Sequence, residues 1–192
     1  MFLNIFFILL LIFFSITSFF IVLIIFDSIF DIIYKIIKKP TVPFISSPLY
    51  TLPLIFKALK LNKKSVFYDL GCGSGRVLDY LSAVFPDAKF IGVENRLFPF
   101  YFCLFKKIIK RKKFLILNKD FLNLNLKDAT HIFIYLHPDV LSSFSSFINK
   151  KISSGVRLVS LDYPLPNYKP IETIKLKNNY FKLENKLFVY IF

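Results

Sequence analysis

The chain has 192 residues, 55% of them hydrophobic, and carries 26 Lys and Arg against 12 Asp and Glu, a formal net charge of +14. That length holds one domain plus an appendage. Its two cysteines and two histidines lie far apart with no ligand spacing, which gives metal chemistry poor support and fits a reducing compartment with no disulfide framework.

The appendage comes first. Residues 1–26 have no charged side chain, and 21 of them are Leu, Ile, Phe or Val. On the membrane-insertion scale these contribute roughly −6 to −12 kcal/mol, and as a helix the run spans about 39 Å, enough to cross a bilayer core of about 30 Å with tilt. A cleaved signal peptide would have a basic start, a shorter apolar stretch and a small-residue cleavage site. None of these is present, so residues 1–26 are expected to meet the membrane as an uncleaved anchor. The helix is expected to continue to about Ile37, with Pro40 and Pro43 stopping it. Lys35, Lys38 and Lys39 follow the span and nothing basic precedes it, which predicts a single-pass protein with its C-terminal domain on the cytoplasmic side. The predicted organisation is an anchor over residues 1–37, a proline-bounded linker over 38–48 and a domain over 49–192.

Within the domain, Leu49–Leu61 is expected to be a helix. Strand-like runs follow at Ser65–Leu70, Lys89–Glu94, Phe114–Asn118, His131–Leu136 and Gly155–Leu161. Helix-like runs at Arg76–Val84, Leu97–Ile109 and Pro138–Lys150 lie between them. Alternation of this kind predicts an α/β fold, a doubly wound and mostly parallel sheet with helices on both faces. Ile171–Lys177 and Lys186–Phe192, joined by a polar turn around Asn178-Asn179, predict a terminal antiparallel hairpin.

Three of the five glycines fall in the first strand–helix turn, Asp69-Leu70-Gly71-Cys72-Gly73-Ser74-Gly75. Such a turn allows close backbone approach and is expected to aim N–H groups at an anionic ligand group. Ligands of doubly wound sheets sit beyond the carboxyl ends of the strands. Glu94 ends the second strand, 23 residues after Gly71, where a carboxylate can accept from both hydroxyls of a ribose. Asp120 and Phe121 follow the third strand, an acceptor and an apolar cover for a base; a turn or N-cap role for Asp120 stays open. Tyr135–Asp139 follow the fourth strand. His131 is expected to pack at a strand start, and Asp162 and Tyr163 read equally well as a structural loop. A dinucleotide fingerprint would place its third glycine where Arg76 stands, and the Gly-Lys-Ser/Thr of a triphosphate loop is absent.

The Asp-x-Gly-x-Gly-x-Gly turn resembles the first motif of class I S-adenosylmethionine-dependent methyltransferases. The wider chain resembles the membrane-anchored ATP synthase c-subunit lysine N-methyltransferase family and its prokaryotic relatives. That likeness rests on Val42-Pro43-Phe44-Ile45-Ser46-Ser47-Pro48, Tyr68–Val77, Gly92-Val93-Glu94-Asn95, Tyr135-Leu136-His137-Pro138-Asp139, Gly155–Ser160 and Asp162-Tyr163-Pro164-Leu165. It implies a Rossmann-like methyltransferase sheet and S-adenosylmethionine as cofactor, held by Asp69, Gly71, Cys72, Gly73, Gly75, Glu94, Asp120 and Phe121. It implies methyl transfer to a lysine of a membrane-associated protein. By position, Phe44 and Pro48 are assigned to the substrate pocket, and Tyr135 and His137 to the catalytic end. A small or lipidic acceptor, or cofactor binding without turnover, are the other readings. The basic run Lys106, Lys107, Lys110–Lys113 suits a solvated or anionic-lipid-facing surface better than nucleic acid, and the Asp/Asn-Pro-Pro-Tyr/Phe signature of amino methylation on nucleic acids is missing.

Overall fold

The computed structural model describes residues 2–37, 46–146, 148–176 and 186–192. The chain divides into two units, residues 1–43 with 96–98, and residues 44–95 with 99–192.

The first unit is built on α1 (Phe2–Ile37), whose stretch Leu3–Ile29 is long and apolar enough to cross a membrane. Asp27 is buried, and Arg96 donates to its Oδ2 from Nε at 3.1 Å and Nη2 at 2.7 Å. Pro40 and Pro43 lie outside the described residues, as do Phe44 and the turn at Asn178-Asn179.

In the second unit, a single 3₁₀ turn over Leu49–Thr51 leads into α2 (Leu52–Leu59). The predicted helix over 49–61 is therefore shorter: the Pro48 carbonyl takes both the N–H and the Oγ1–H of Thr51, and Lys60 leaves the helix at φ +53°. Then come β1 (Val66–Leu70), α3 (Arg76–Val84), β2 (Lys89–Glu94), α4 (Leu97–Ile109), whose first two residues belong to the first unit, and β3 (Leu115–Asn118). β4 (His131–Ile134), α5 (Pro138–Ser145), α6 (Ile148–Lys151) and β5 (Arg157–Leu161) follow, and β6 (Glu172–Lys175) and β7 (Lys186–Ile191) close the sheet. The expected helix Pro138–Lys150 is interrupted after Ser145. Ser145 and Ser146 turn their hydroxyls back onto the carbonyls of Ser142 and Ser143, competing with the helical ladder.

The sheet runs β3-β2-β1-β4-β5-β7-β6, parallel from β3 to β5 and antiparallel at β5–β7 and β7–β6. Successive strand residues feed opposite faces. Phe67 packs with Leu52, Ile55, Leu78 and Leu81 from α2 and α3, whereas Tyr68 and Leu70 pack with Leu141, Phe144 and Ile148 from α5 and α6. Arg157 ties one helix to the sheet by donating from Nε to the Ala58 carbonyl at the end of α2, at 2.6 Å.

The strand order reverses between β1 and β4, which opens a crevice at their carboxyl ends. Leu70 is in register with Val93 of β2 and with Ile134 of β4. The next residues, Gly71, Glu94 and Tyr135, therefore stand level along one edge of the sheet.

Candidate functional site

The glycine turn takes a backbone path closed to most side chains, with Gly71 at φ +78°, Gly73 at φ +54° and Gly75 at φ +71°. The amides of Gly71, Cys72, Gly73 and Gly75 are spent within the protein. Gly71 and Cys72 both donate to the Val93 carbonyl, at 2.8 and 3.0 Å, and Gly75 donates to the Cys72 carbonyl at 2.9 Å. Gly73 donates to Glu94 Oε2 at 2.9 Å. These four amides are therefore engaged inside the protein, where the sequence reading aimed the turn's N–H groups at an anion. The amides lace β1 to β2 and fix the Glu94 side chain against the turn.

Two carboxylates then face each other in a buried place. Asp69 is 3% exposed and Glu94 6% exposed. Burial, then the neighbouring Glu94 charge, push the Asp69 carboxyl up to about 8. A shallow cleft above the turn is lined by Asp69, Gly71, Gly73, Tyr135, Ser47 and Arg76, among others. Arg76 donates from Nη1 to the Ser47 carbonyl at 2.8 Å, joining the start of α3 to the segment before α2. Neither residue was singled out for the site from the sequence. Pro48 is half-buried beside them, its carbonyl used by Thr51.

Gly75 plays a different part from Gly71. A Cβ at Gly75 would overlap Cys103 Sγ on α4, so this glycine serves helix packing, whereas a Cβ at Gly71 would come 3.0 Å from the Leu136 side chain. Cys72 is buried, and its hydrogen bond with Cys103 and its burial hold its thiol well above its ordinary range.

At the fourth strand, burial is the main cause that raises the Tyr135 phenol, followed by the charge of Asp162 and their hydrogen bond. Asp162 is buried at φ +64°, a left-handed conformation uncommon outside glycine. The sequence leaves Asp162 evenly poised between a site and a structural loop; its signs are its place after the fifth strand and the likeness of Asp162-Tyr163-Pro164-Leu165 to the family. His137 caps α5: its Nδ1 lies 3.5 Å from the Asp139 amide, and its ring stands 6.4 Å from that of Tyr163. Asp120 also caps, accepting from the Leu122 amide at 2.9 Å, and Phe121 packs edge-on against Phe144 at 5.9 Å. His131 is buried at the start of β4, as expected.

Residues 69–172 match the ANTKMT methyltransferase domain. The chain belongs to that family. A protein-lysine N-methyltransferase of Saccharolobus islandicus is 23% identical over 155 residues, 79% of this chain and 94% of the relative. A tRNA (guanine-N(7)-)-methyltransferase of Metamycoplasma hominis is 29% identical over 115 residues, 58% of this chain and 54% of that protein. An RNA methyltransferase of Salinibacter ruber, solved with S-adenosyl-L-homocysteine, has the same fold, with a TM-score of 0.69 at 18% identity over 77% of this chain and 93% of the other.

This ANTKMT-type chain is an S-adenosylmethionine-dependent methyltransferase. The residues at the switch point fit that cofactor. Glu94 beside an Asp69 carboxyl held near 8 favours a cationic ligand, which would draw Asp69 into its ionised form, and opposes the pyrophosphate of a dinucleotide.

Proposed function

We propose that this enzyme methylates a lysine of a membrane-associated protein, with its domain tethered by α1. The observation that carries the reading is the Tyr135–Asp162 pair beside the glycine turn: a buried carboxylate and a phenol suited to draw in an ammonium group. The lysine-methylating relative, matched over 94% of its length, supports the same acceptor class. The Leu3–Ile29 stretch supports the tether, and Lys35, Lys38 and Lys39 support a cytoplasmic domain.

Bound S-adenosylmethionine supplies a methyl group on a sulfonium sulfur, an electrophile whose leaving group is a neutral thioether. The protein's work is alignment and charge. In this reading Glu94 accepts from the ribose hydroxyls while the Gly73 amide holds its carboxylate in place. Asp69 balances the positive charge of the cofactor. The turn from Gly71 to Gly75, with Cys72, lets the backbone come close. Asp120 and Phe121 border the base, with Asp120 contributing the acceptor atoms its cap leaves over. On the acceptor side, Asp162 and Tyr135 hold the lysine head, and His137 and Pro48 wall the approach. Desolvation in the cleft favours the neutral amine, whose lone pair attacks.

The test is to incubate the purified full chain with labelled S-adenosylmethionine and membranes, then separate protein, lipid and nucleic acid. The expected result is acid-stable label on lysine in the protein fraction. Label confined to lipid or to RNA would overturn the lysine reading while leaving the methyltransferase activity intact.

A further inference from the structure

We propose that a second site, a basic groove between the end of α3 and the turn into β3, binds the phosphate of an anionic phospholipid. The groove has a volume of about 200 Å³ and is lined by Ser82, Lys89, Arg111, Lys112, Lys113 and Leu115, among others, with no carboxylate in its walls. Lys112 is engaged by Asp79, with its Nζ 3.2 Å from the Asp79 carbonyl and 3.5 Å from Oδ1. Lys89, Arg111 and Lys113 have no carboxylate partner among the described residues. Cations gathered without a counter-charge repel one another, and an anion between them relieves that repulsion.

Two further observations point into the groove. The Ser82 hydroxyl is buried and makes no hydrogen bond within the protein. Such a group is costly, and Ser82 stands in the groove wall, where an oxygen acceptor that draws the hydroxyl out on binding would relieve that cost. The second is Arg111. The end of α4 is closed by the Lys112 amide donating to the Lys107 carbonyl at 2.9 Å and the Arg111 amide to the Ile108 carbonyl at 3.1 Å. This closure puts its last residue but one in the left-handed region, a place usually filled by glycine. Here an arginine occupies it at φ +49°. The strained position holds a guanidinium at the mouth of the groove.

The neighbouring surface favours a lipid over nucleic acid. Ile108 is 66% exposed, Ile109 63% and Leu115 48%, alongside the cations. Apolar side chains beside a phosphate-binding groove match a headgroup with acyl chains below it, and offer nothing to a ribose-phosphate backbone. This inference does not depend on which group the enzyme methylates.

Native mass spectrometry of the detergent-purified full chain, with dioleoyl phosphatidylglycerol and dioleoyl phosphatidylcholine in competition, tests it. The expected result is preferential retention of phosphatidylglycerol. Arg111→Gly relieves the backbone strain and removes one charge, so it is expected to leave thermal stability unchanged or raised while reducing that preference about fivefold. Lys89→Ala, Arg111→Gly and Lys113→Ala together are expected to reduce it roughly 100-fold. Ser82→Ala, which leaves every charge in place, is expected to reduce it roughly tenfold. Equal retention of the two lipids overturns the proposal, as does a preference that the triple variant leaves intact. Displacement of phosphatidylglycerol by a uridine oligonucleotide also overturns it, and so does saturation of the groove by inorganic phosphate with no lipid preference. Methyl transfer measured on the same preparation separates this outcome from the acceptor assignment.

Discussion

The Glu94 carboxylate accepts from the Gly73 backbone N–H at 2.9 Å, so the side chain that ends β2 is locked onto the turn that ends β1. The bond also occupies the Gly73 donor with a carboxylate of the protein itself. Glu94→Gln keeps the shape and removes the charge. It is expected to weaken S-adenosylmethionine binding by about 1–3 kcal/mol, the loss of charge-assisted hydrogen bonds. Calorimetric titration of the full chain measures it; unchanged affinity would place the ribose elsewhere.

Asp69 makes binding depend on pH. Its carboxyl is pushed up to about 8 by burial and by Glu94, and a cationic ligand favours the ionised form. Affinity for S-adenosylmethionine is therefore expected to rise with pH and to level off above about 8, falling up to about tenfold per unit below it. Asp69→Asn should flatten that profile. Without ligand the sign for stability is opposite. Between the ordinary value of 3.8 and about 8 the folded chain holds a proton that the unfolded chain releases, so the Asp69 contribution to stability declines as pH rises through that window. Thermal melts across the range, with and without cofactor, check both signs.

Gly75 is held against α4 by shape. Gly75→Ala would overlap the Cys103 sulfur and force a side chain onto φ +71°. A loss of about 2–4 kcal/mol is expected, combining overpacking with left-handed strain. Cys103→Ala should recover the packing part and leave about 1–2 kcal/mol of backbone strain, which a double-mutant cycle by denaturant titration resolves.

The acceptor end should affect turnover more than cofactor affinity. Tyr135→Phe and Asp162→Asn are each expected to lower kcat about 10–100-fold through misplaced substrate, with S-adenosylmethionine affinity within about twofold of the parent. His137→Asn retains an N-cap side chain for α5, so thermal stability should hold within about 0.5 kcal/mol. A fall in kcat in that variant would give His137 a part in the chemistry beyond its cap.

Some of this molecule was legible residue by residue. Arg76–Val84 and Leu97–Ile109 are helices, and Lys89–Glu94 a strand, over the spans their periodicity predicts. Buried parallel strands write themselves as apolar runs, and clustered glycine marks the turn where the backbone must go left-handed. The break after Ser145 was hidden, because it depends on whether serine hydroxyls turn back onto the helix or out to water. The spent amides were hidden as well, since Asp-x-Gly-x-Gly-x-Gly states the turn's path but not what its donors meet.

The residue string by itself determined the order of strands and helices, the apolar N-terminal span and the identities of Asp69, Glu94 and Tyr135, because these follow from local propensity, periodicity and side-chain chemistry. Tertiary structure alone decided that Glu94 meets Gly73, that Asp162 meets Tyr135, and that Ser82 shares a groove wall with Lys89, Arg111 and Lys113. Those encounters depend on strand register and helix packing between residues far apart in the chain, and no local pattern encodes them.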